Sequence, residues 1–254
     1  MKQLPFKRLA HHIVQLTLSQ PSKRNAINAA MWEAIPAVLA EIKSINPKVL
    51  IVTGDGNHFA SGADISEFET LYSTPESSAK ISMDIASAMA ALATFPVPTI
   101  AKISGACVGG GLGLALCCDL RLCDDSAKFA ITPAKLGLVY PYADVVRLID
   151  AVGVMNAKDL LFSARLVDAE EAQHMGLARR ISDHMGDAVL NRAHAIADQS
   201  GQSALVMKRM FRRFQRGQRQ DNETTLTWFL DGFASDDFKE GYTAFLEKRP
   251  PDFD

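Results

Sequence analysis

Three consecutive glycines stand between a β-rich run and a helical run in Ile103-Ser-Gly-Ala-Cys-Val-Gly-Gly-Gly-Leu-Gly-Leu-Ala-Leu-Cys117. This stretch constrains the chain most. Bare backbone N–H groups at the positive end of a helix stay open to close approach by a ligand. Such a nest suits a phosphate or a developing oxyanion, although the same glycines would also serve if they only let a strand and a helix pack tightly. The dinucleotide fingerprint G-x-G-x-x-G fails, because Leu114 or Leu116 falls where its last glycine belongs. No G-K-[ST] and no G-x-S-x-G occurs either, which removes a Walker loop and a hydrolase elbow.

The surrounding pattern predicts strands over residues 12–18, 49–52, 98–104, 120–122 and 129–131, and helices over 28–45, 77–92 and 112–117. From Pro141 onward helices are expected, starting near Pro141, Asn156, Asp168, Gly186, Ser203, Asp221 and Asp236. Alternating strands and helices followed by helices imply an α/β core with a helical C-terminal part, divided between 185 and 200.

At 254 residues and 48% hydrophobic content the chain can bury a large core, and a formal net charge of −2 gives no global attraction to nucleic acid or membrane. Cys107, Cys117, Cys118 and Cys123 lack metal spacing and read as buried thiols. No apolar run approaches a membrane span and no signal sequence is evident, so a cytoplasmic protein is expected. In Lys208–Arg216, Met210, Phe211 and Phe214 have helical spacing, which favours a buried stripe with a solvated basic face over RNA binding.

A second small-residue segment, Phe59-Ala-Ser-Gly-Ala-Asp-Ile65, also lies between a strand and a helix. Alone it needs no more than an N-cap role for Asp64. Together, the two segments offer main-chain donors from distant positions that can converge on one carbonyl oxygen and stabilise charge formed in a transition state.

Here the chain resembles the crotonase (enoyl-CoA hydratase/isomerase) superfamily. The resemblance runs through Pro21-Ser-Lys-Arg-Asn-Ala-Ile-Asn28, the two segments above, Cys118-Asp119, Lys135-Leu-Gly-Leu138, Asp168-Ala-Glu-Glu-Ala172 with Met175-Gly-Leu177, and Glu240-Gly-Tyr-Thr-Ala-Phe-Leu-Glu-Lys-Arg249. It implies a spiral of ββα units over residues 1–190 and a helical trimerisation region over 191–254, assembled as a homotrimer or a hexamer built as a dimer of trimers. It also implies an acyl-CoA thioester substrate, coenzyme A entering only as part of that substrate, and oxyanion donors at the N–H groups of Ala63 and Gly110. Coenzyme A contacts would come from Lys23, Arg24, Ala26, Ser61, Asp64, Ile65 and Gly109, with Phe245 and Lys248 reaching in from a neighbouring subunit. Lys23, Arg24 and Lys248 suit a polyanion.

The chain departs from the hydratase pattern at both acid–base positions. Where that pattern has glutamates, this sequence has Gly113 and Pro133 (Ala134 if the register slips by one). Losing a positioned acid or base costs about 10²–10⁴-fold in rate, so brisk hydration is not expected. Thr132, Pro133 and Tyr140 are similar to the methylmalonyl-CoA decarboxylase branch, in which the tyrosine meets a carboxylate, although that branch has histidine at the position of Ala63. Asp144 is the remaining carboxylate candidate, as an isomerase acid or as an ordinary first-turn residue. Glu67 and Glu69 lie near the first donor and ordinarily would face solvent, as would His58. A non-catalytic acyl-CoA or RNA-binding paralogue is the alternative of a different class.

Overall fold

Alternation along the strands decides how the first half of the chain is covered. In the computed structural model, which describes residues 3–253, β1 (Phe6–Ala10) and β2 (Ile13–Leu18) are followed by α1 (Ala29–Ser44) and β3 (Val49–Gly54). A short α2 (Phe68–Leu71) and a long α3 (Pro75–Ala93) lead to β4 (Thr99–Ile103), β5 (Ala106–Val108) and α4 (Gly110–Cys117). Then come β6 (Leu120–Cys123), β7 (Lys128–Ala130), α5 (Tyr142–Ser163), β8 (Val167–Asp168), α6 (Ala169–His174) and β9 (Arg179–Arg180). Four helices close the chain: α7 (Met185–Ala197), α8 (Gly201–Gln215), α9 (Glu223–Phe233) and α10 (Asp236–Glu247).

The large sheet has the order β1-β2-β3-β4-β6-β9 and is parallel except at β1, while β5, β7 and β8 form a small sheet. Single bridges extend the small sheet, Ala60 beside Cys107 and Ile27 beside Ala63, both parallel. Each strand β2, β3, β4 and β6 is thus followed by a small-sheet segment and then a helix. This is the expected spiral of ββα units.

Val14, Leu16 and Leu18 belong to the main core with Leu50, Val52, Ala101 and Ile103, and with Met31, Trp32, Ile35, Leu39 and Ile42 of α1. The alternate residues Ile13, Val49, Ile51, Ile100 and Leu122 pack instead against Val189, Ala193 and Ala197 of α7. A sheet covered on both faces explains the unbroken apolar run at the start of β3. Helix α7 crosses residue 190, so packing on the sheet continues to Ala197.

Two local details differ from expectation and one is refined. Residues 6–10 form an edge strand whose Lys7 and Arg8 are exposed; charge on an edge strand discourages pairing with other chains and hides the β pattern. The glycine segment contains β5 and the helix begins earlier, at Gly110. The helix expected from near Asn156 is the second part of α5, which breaks at Gly153 with φ 75° and ψ 165° and then continues to Ser163.

The C-terminal helices pack differently from the core. No residue of α9 is buried and only Ala244 is in α10, while Phe229, Leu230, Phe233 and Phe245 are exposed. The expected buried stripe on α8 is also absent: Phe211 and Phe214 point outward and Lys208 is the buried residue. Helical spacing identified one apolar side, but this chain's own core does not reach it. Lys208 Nζ donates to Asp119 Oδ2 at 2.6 Å and to the Val97 carbonyl at 2.8 Å, which ties α8 to the sheet. Among the described residues no helix is long and apolar enough to cross a membrane.

Lys208→Ala should destabilise the fold by about 1–3 kcal/mol, below the cost of breaking a fully buried pair because Asp119 is partly solvated. Urea denaturation should show a lower midpoint.

Candidate active site

The small sheet sets the site. Ala60 N–H donates to the Ala106 carbonyl at 2.9 Å, and Val108 N–H to the Ala60 carbonyl at 3.0 Å. Because Ala60 and Cys107 pair in parallel, three further residues on each segment bring Ala63 opposite Gly110. A Cβ at Gly110 would lie 3.8 Å from the Ala63 nitrogen, and one at Gly62 would lie 3.7 Å from the Gly110 nitrogen. Neither Ala63 N–H nor Gly110 N–H donates to a protein acceptor among the described residues.

Glycine is required here for two different reasons. Gly62 has φ 107°, a region that side chains disfavour, and it turns the loop beneath Ala63. At Gly111 the demand is space, since a Cβ would stand 2.4 Å from the Ala60 carbonyl oxygen. Gly109, with φ 52°, ends β5 and starts α4, and the Thr132 Oγ1 faces it, 3.8 Å from where a Cβ would be.

Beside the paired segments lies the turn 20–28. Asn25 is fully buried; its amide donates to the carbonyls of Asp55 at 2.9 Å and His58 at 2.6 Å, and its Oδ1 accepts from Gln20 N–H. Ser61 binds this turn twice, through N–H to the Arg24 carbonyl and Oγ to the Lys23 carbonyl, both at 3.0 Å. Ala26 is buried, Ile65 is exposed, and Arg24 is exposed with no ion pair among the described residues. Lys23 is engaged: its ammonium lies 2.6 Å from Asp64 Oδ2 and 2.8 Å from Ser66 Oγ. Burial tends to raise the Asp64 pKa, but hydrogen bonds from Lys23, Ser66 and Gln20 outweigh it and hold it at about 2.

One turn into α4, a Cβ at Gly113 would meet the Met89 Cε at 2.7 Å and the Tyr140 hydroxyl oxygen at 3.2 Å. Tyr140 is buried, and burial, followed by the Asp144 charge, pushes its phenol well above the usual range. It is a hydrogen-bond donor, not a base. Asp144 is buried too and raised by that burial, against the opposing pull of Arg147, whose Nη1 lies 2.5 Å from its Oδ1.

Sequence relatives identify the family. The family model for enoyl-CoA hydratase/isomerase matches residues 8–254. The chain belongs to the enoyl-CoA hydratase/isomerase family. It is 35% identical to the "Probable enoyl-CoA hydratase echA8" of Mycobacterium leprae, over 94% of this chain and 93% of that one. It is 30% identical to the mitochondrial Delta(3,5)-Delta(2,4)-dienoyl-CoA isomerase of Mus musculus, over 94% of this chain and 77% of that one. A crystal structure of an enoyl-CoA hydratase/isomerase family protein from Hyphomonas neptunium superposes with a TM-score of 0.95 at 42% identity, covering 99% of this chain and 97% of that one. This member of the family is therefore a crotonase-type acyl-CoA enzyme, and relatives named for hydration and for isomerisation leave its reaction open.

Some residues near the site serve the frame. Glu67 Oε2 accepts from Ala29 N–H at 2.8 Å and so caps α1, while Glu69 is exposed. His58 is half-buried, with Nδ1 accepting from Ala106 N–H at 3.0 Å, so it braces β5 and does not sit free in a solvated loop. Phe245 is 81% exposed and Lys248 caps α10 in a left-handed conformation; no hydrogen bond or ion pair among the described residues joins their side chains to the turn 20–28. The four cysteines are free and buried, and burial pushes the Cys117 and Cys123 thiols up to about 12. Sequence patterns gave no signal for Asn25 as the organiser of the turn, nor for Trp32, whose ring Cζ2 lies 3.1 Å from a Cβ placed on Gly110.

Asp64 has a folded pKa of about 2 against an ordinary 3.8. Its stabilising contribution is full above about pH 4 and is lost as pH falls through about 2. Asp64→Asn should cost about 1 kcal/mol at pH 7, a value reduced by solvent around Lys23. Urea melts should show the gap to wild type closing between pH 4 and pH 2.

Proposed function

We propose that this enzyme holds an acyl-CoA thioester oxygen between the N–H groups of Ala63 and Gly110 and turns over through an enolate, without the acid–base pair that hydration uses. The observation that carries this reading is the parallel register that places two main-chain N–H groups, free of protein acceptors, side by side. Donors fixed before reaction need no reorganisation as negative charge reaches the oxygen. Gly113 and Pro133 carry no proton-transferring group, and the Tyr140 hydroxyl beside Gly113, which donates to the Gly109 carbonyl at 3.4 Å, is a neutral donor. Asp144, buried and raised, is the carboxyl group left to move a proton, and doing so requires it to leave Arg147. Decarboxylation of a malonyl-type thioester needs no base and would use Tyr140, but the Arg147 guanidinium is already occupied by Asp144.

For the coenzyme A moiety, Arg24 is the exposed cation suited to a phosphate. Lys23 instead shapes the turn through Asp64, and Ala26, Ser61, Asp64, Ile65 and Gly109 supply its walls. Thr132 borders the acyl end. The apolar residues bared on α8, α9 and α10 support an oligomerisation role for residues 191–254, in a homotrimer or a dimer of trimers. In that assembly Phe245 and Lys248 meet a neighbouring chain's ligand.

Crotonyl-CoA hydration, followed by loss of the conjugated enone absorbance, should run at least about 100-fold below a glutamate-bearing hydratase; a rate equal to such an enzyme would overturn the reading of Gly113 and Pro133. On whichever acyl-CoA of a mass-spectrometric panel is turned over, Ala63→Pro deletes one donor yet keeps the bonds of Ile27 to Gly62 and Asp64. It should lower kcat by about 10²-fold or more. Sedimentation should give a trimer or hexamer, dissociated by combining Phe229→Asp with Leu230→Asp.

A further inference from the structure

Where α4 ends, a cavity of about 360 Å³ opens between that helix, α5 and α8. Arg121, Arg147, Lys208 and Arg212 line it, against two carboxylates, Asp119 and Asp150. Each cation could be answered by the protein itself, and three are. Lys208 is paired with Asp119, and Arg147 with Asp144. Arg121 donates to the Leu177 carbonyl at 2.7 Å and to the Cys118 carbonyl at 2.9 Å, at the end of α4 where a cation is favoured. Arg212 has no such answer. It forms no ion pair among the described residues, and its one bond runs from Nη1 to the Thr94 carbonyl at 3.4 Å. Asp150 is exposed and pairs with none of the four.

Burial makes the shortfall costly. It pulls Arg121, Lys208 and Arg212 below their usual pKa ranges, and the Arg212 charge adds to the lowering at Lys208. Cations drawn partly out of water need a counter-charge. The Nη2 groups of Arg121, Arg147 and Arg212 donate to no protein acceptor among the described residues. None of these three atoms is sealed from solvent, in contrast to Arg212 Nε. A guanidinium edge matches two oxygens of one carboxylate or phosphate group. Buried Leu116 and Cys117 form the floor of the cavity, and exposed Phe211 and Gln215 stand at its mouth.

We infer that this cavity binds a small oxyanion, a phosphate or carboxylate group, with Arg212 as its anchor and the Arg121 and Arg147 Nη2 groups as supporting donors. It is a second site, separate from the thioester. Met89 stands between the two, its Cε 2.7 Å from a Cβ placed on Gly113 and its Sδ 3.6 Å from Cys117 Sγ. The assignment therefore does not depend on the acyl-CoA reading proposed above. Asp150 offsets part of the attraction and leaves the cations in excess.

Titration calorimetry of the intact chain in low-chloride buffer tests it, with inorganic phosphate and succinate as the probes. Arg24, the exposed cation of the turn 20–28, is first replaced (Arg24→Gln), so that an anion held there cannot contribute. In that background at least one probe should bind saturably, one per chain, with a Kd below about 1 mM. Adding Arg212→Gln should weaken it at least about tenfold, and the probe that binds identifies the head group. Absence of saturable binding by both probes, or a Kd that Arg212→Gln leaves unchanged, overturns the assignment. Should the Arg212→Gln chain fail to fold, Gln215→Glu decides, because it sets a carboxylate at the exposed mouth. Binding should then weaken, and an unchanged Kd refutes the site.

Discussion

The pairing of residues 59–63 with β5 is the constraint on which the rest of the site depends. Two main-chain bonds, Ala60 to Ala106 and Val108 to Ala60, fix a parallel register, and the donors follow three residues later on each side. Their separation is set by backbone geometry, so it does not depend on any rotamer. The contact tolerates little bulk, because the α4 backbone at Gly111 approaches the Ala60 carbonyl too closely for a methyl group. That explains why small residues crowd both segments.

Around this rigid pair the chemistry is unusually bare. At Gly113, which the proposed reading sets where a hydratase would carry a glutamate, Met89 and the Tyr140 hydroxyl close over the helix. Restoring a carboxylate there would require both to move. The carboxyl groups near the site are committed elsewhere: Asp64 to Lys23, Asp144 to Arg147, Glu67 to the start of α1. On the proposed reading, the site is better equipped to stabilise an enolate than to deliver water.

Much of this was legible in the sequence because the donors are main-chain groups. Their requirement for small residues, a strand before and a helix after leaves a local imprint, visible at 59–65 and 103–117. The β2, β3 and β4 strands and the α1 and α3 helices were legible for the same reason, their periods being local. What escaped depends on distant partners. Trp32 reads as one more apolar residue of α1, and only the fold brings its ring against Gly110, 78 positions later. On α8 the spacing of Phe211 and Phe214 correctly marks one apolar side, but periodicity cannot distinguish a face covered by the same chain from one left bare. Edge strand β1 was hidden by the charges that suit an edge.

The capping of α1 by Glu67 has a mechanical consequence. The segment 27–29 is joined to 62–67 by three bonds: Ile27 N–H to the Gly62 carbonyl, Asp64 N–H to the Ile27 carbonyl, and Ala29 N–H to Glu67. The helix that carries Trp32 therefore cannot tilt without dragging the loop that carries Ala63. The first helix and the Ala63 loop travel as a single body, a stiff mould with no hinge between them.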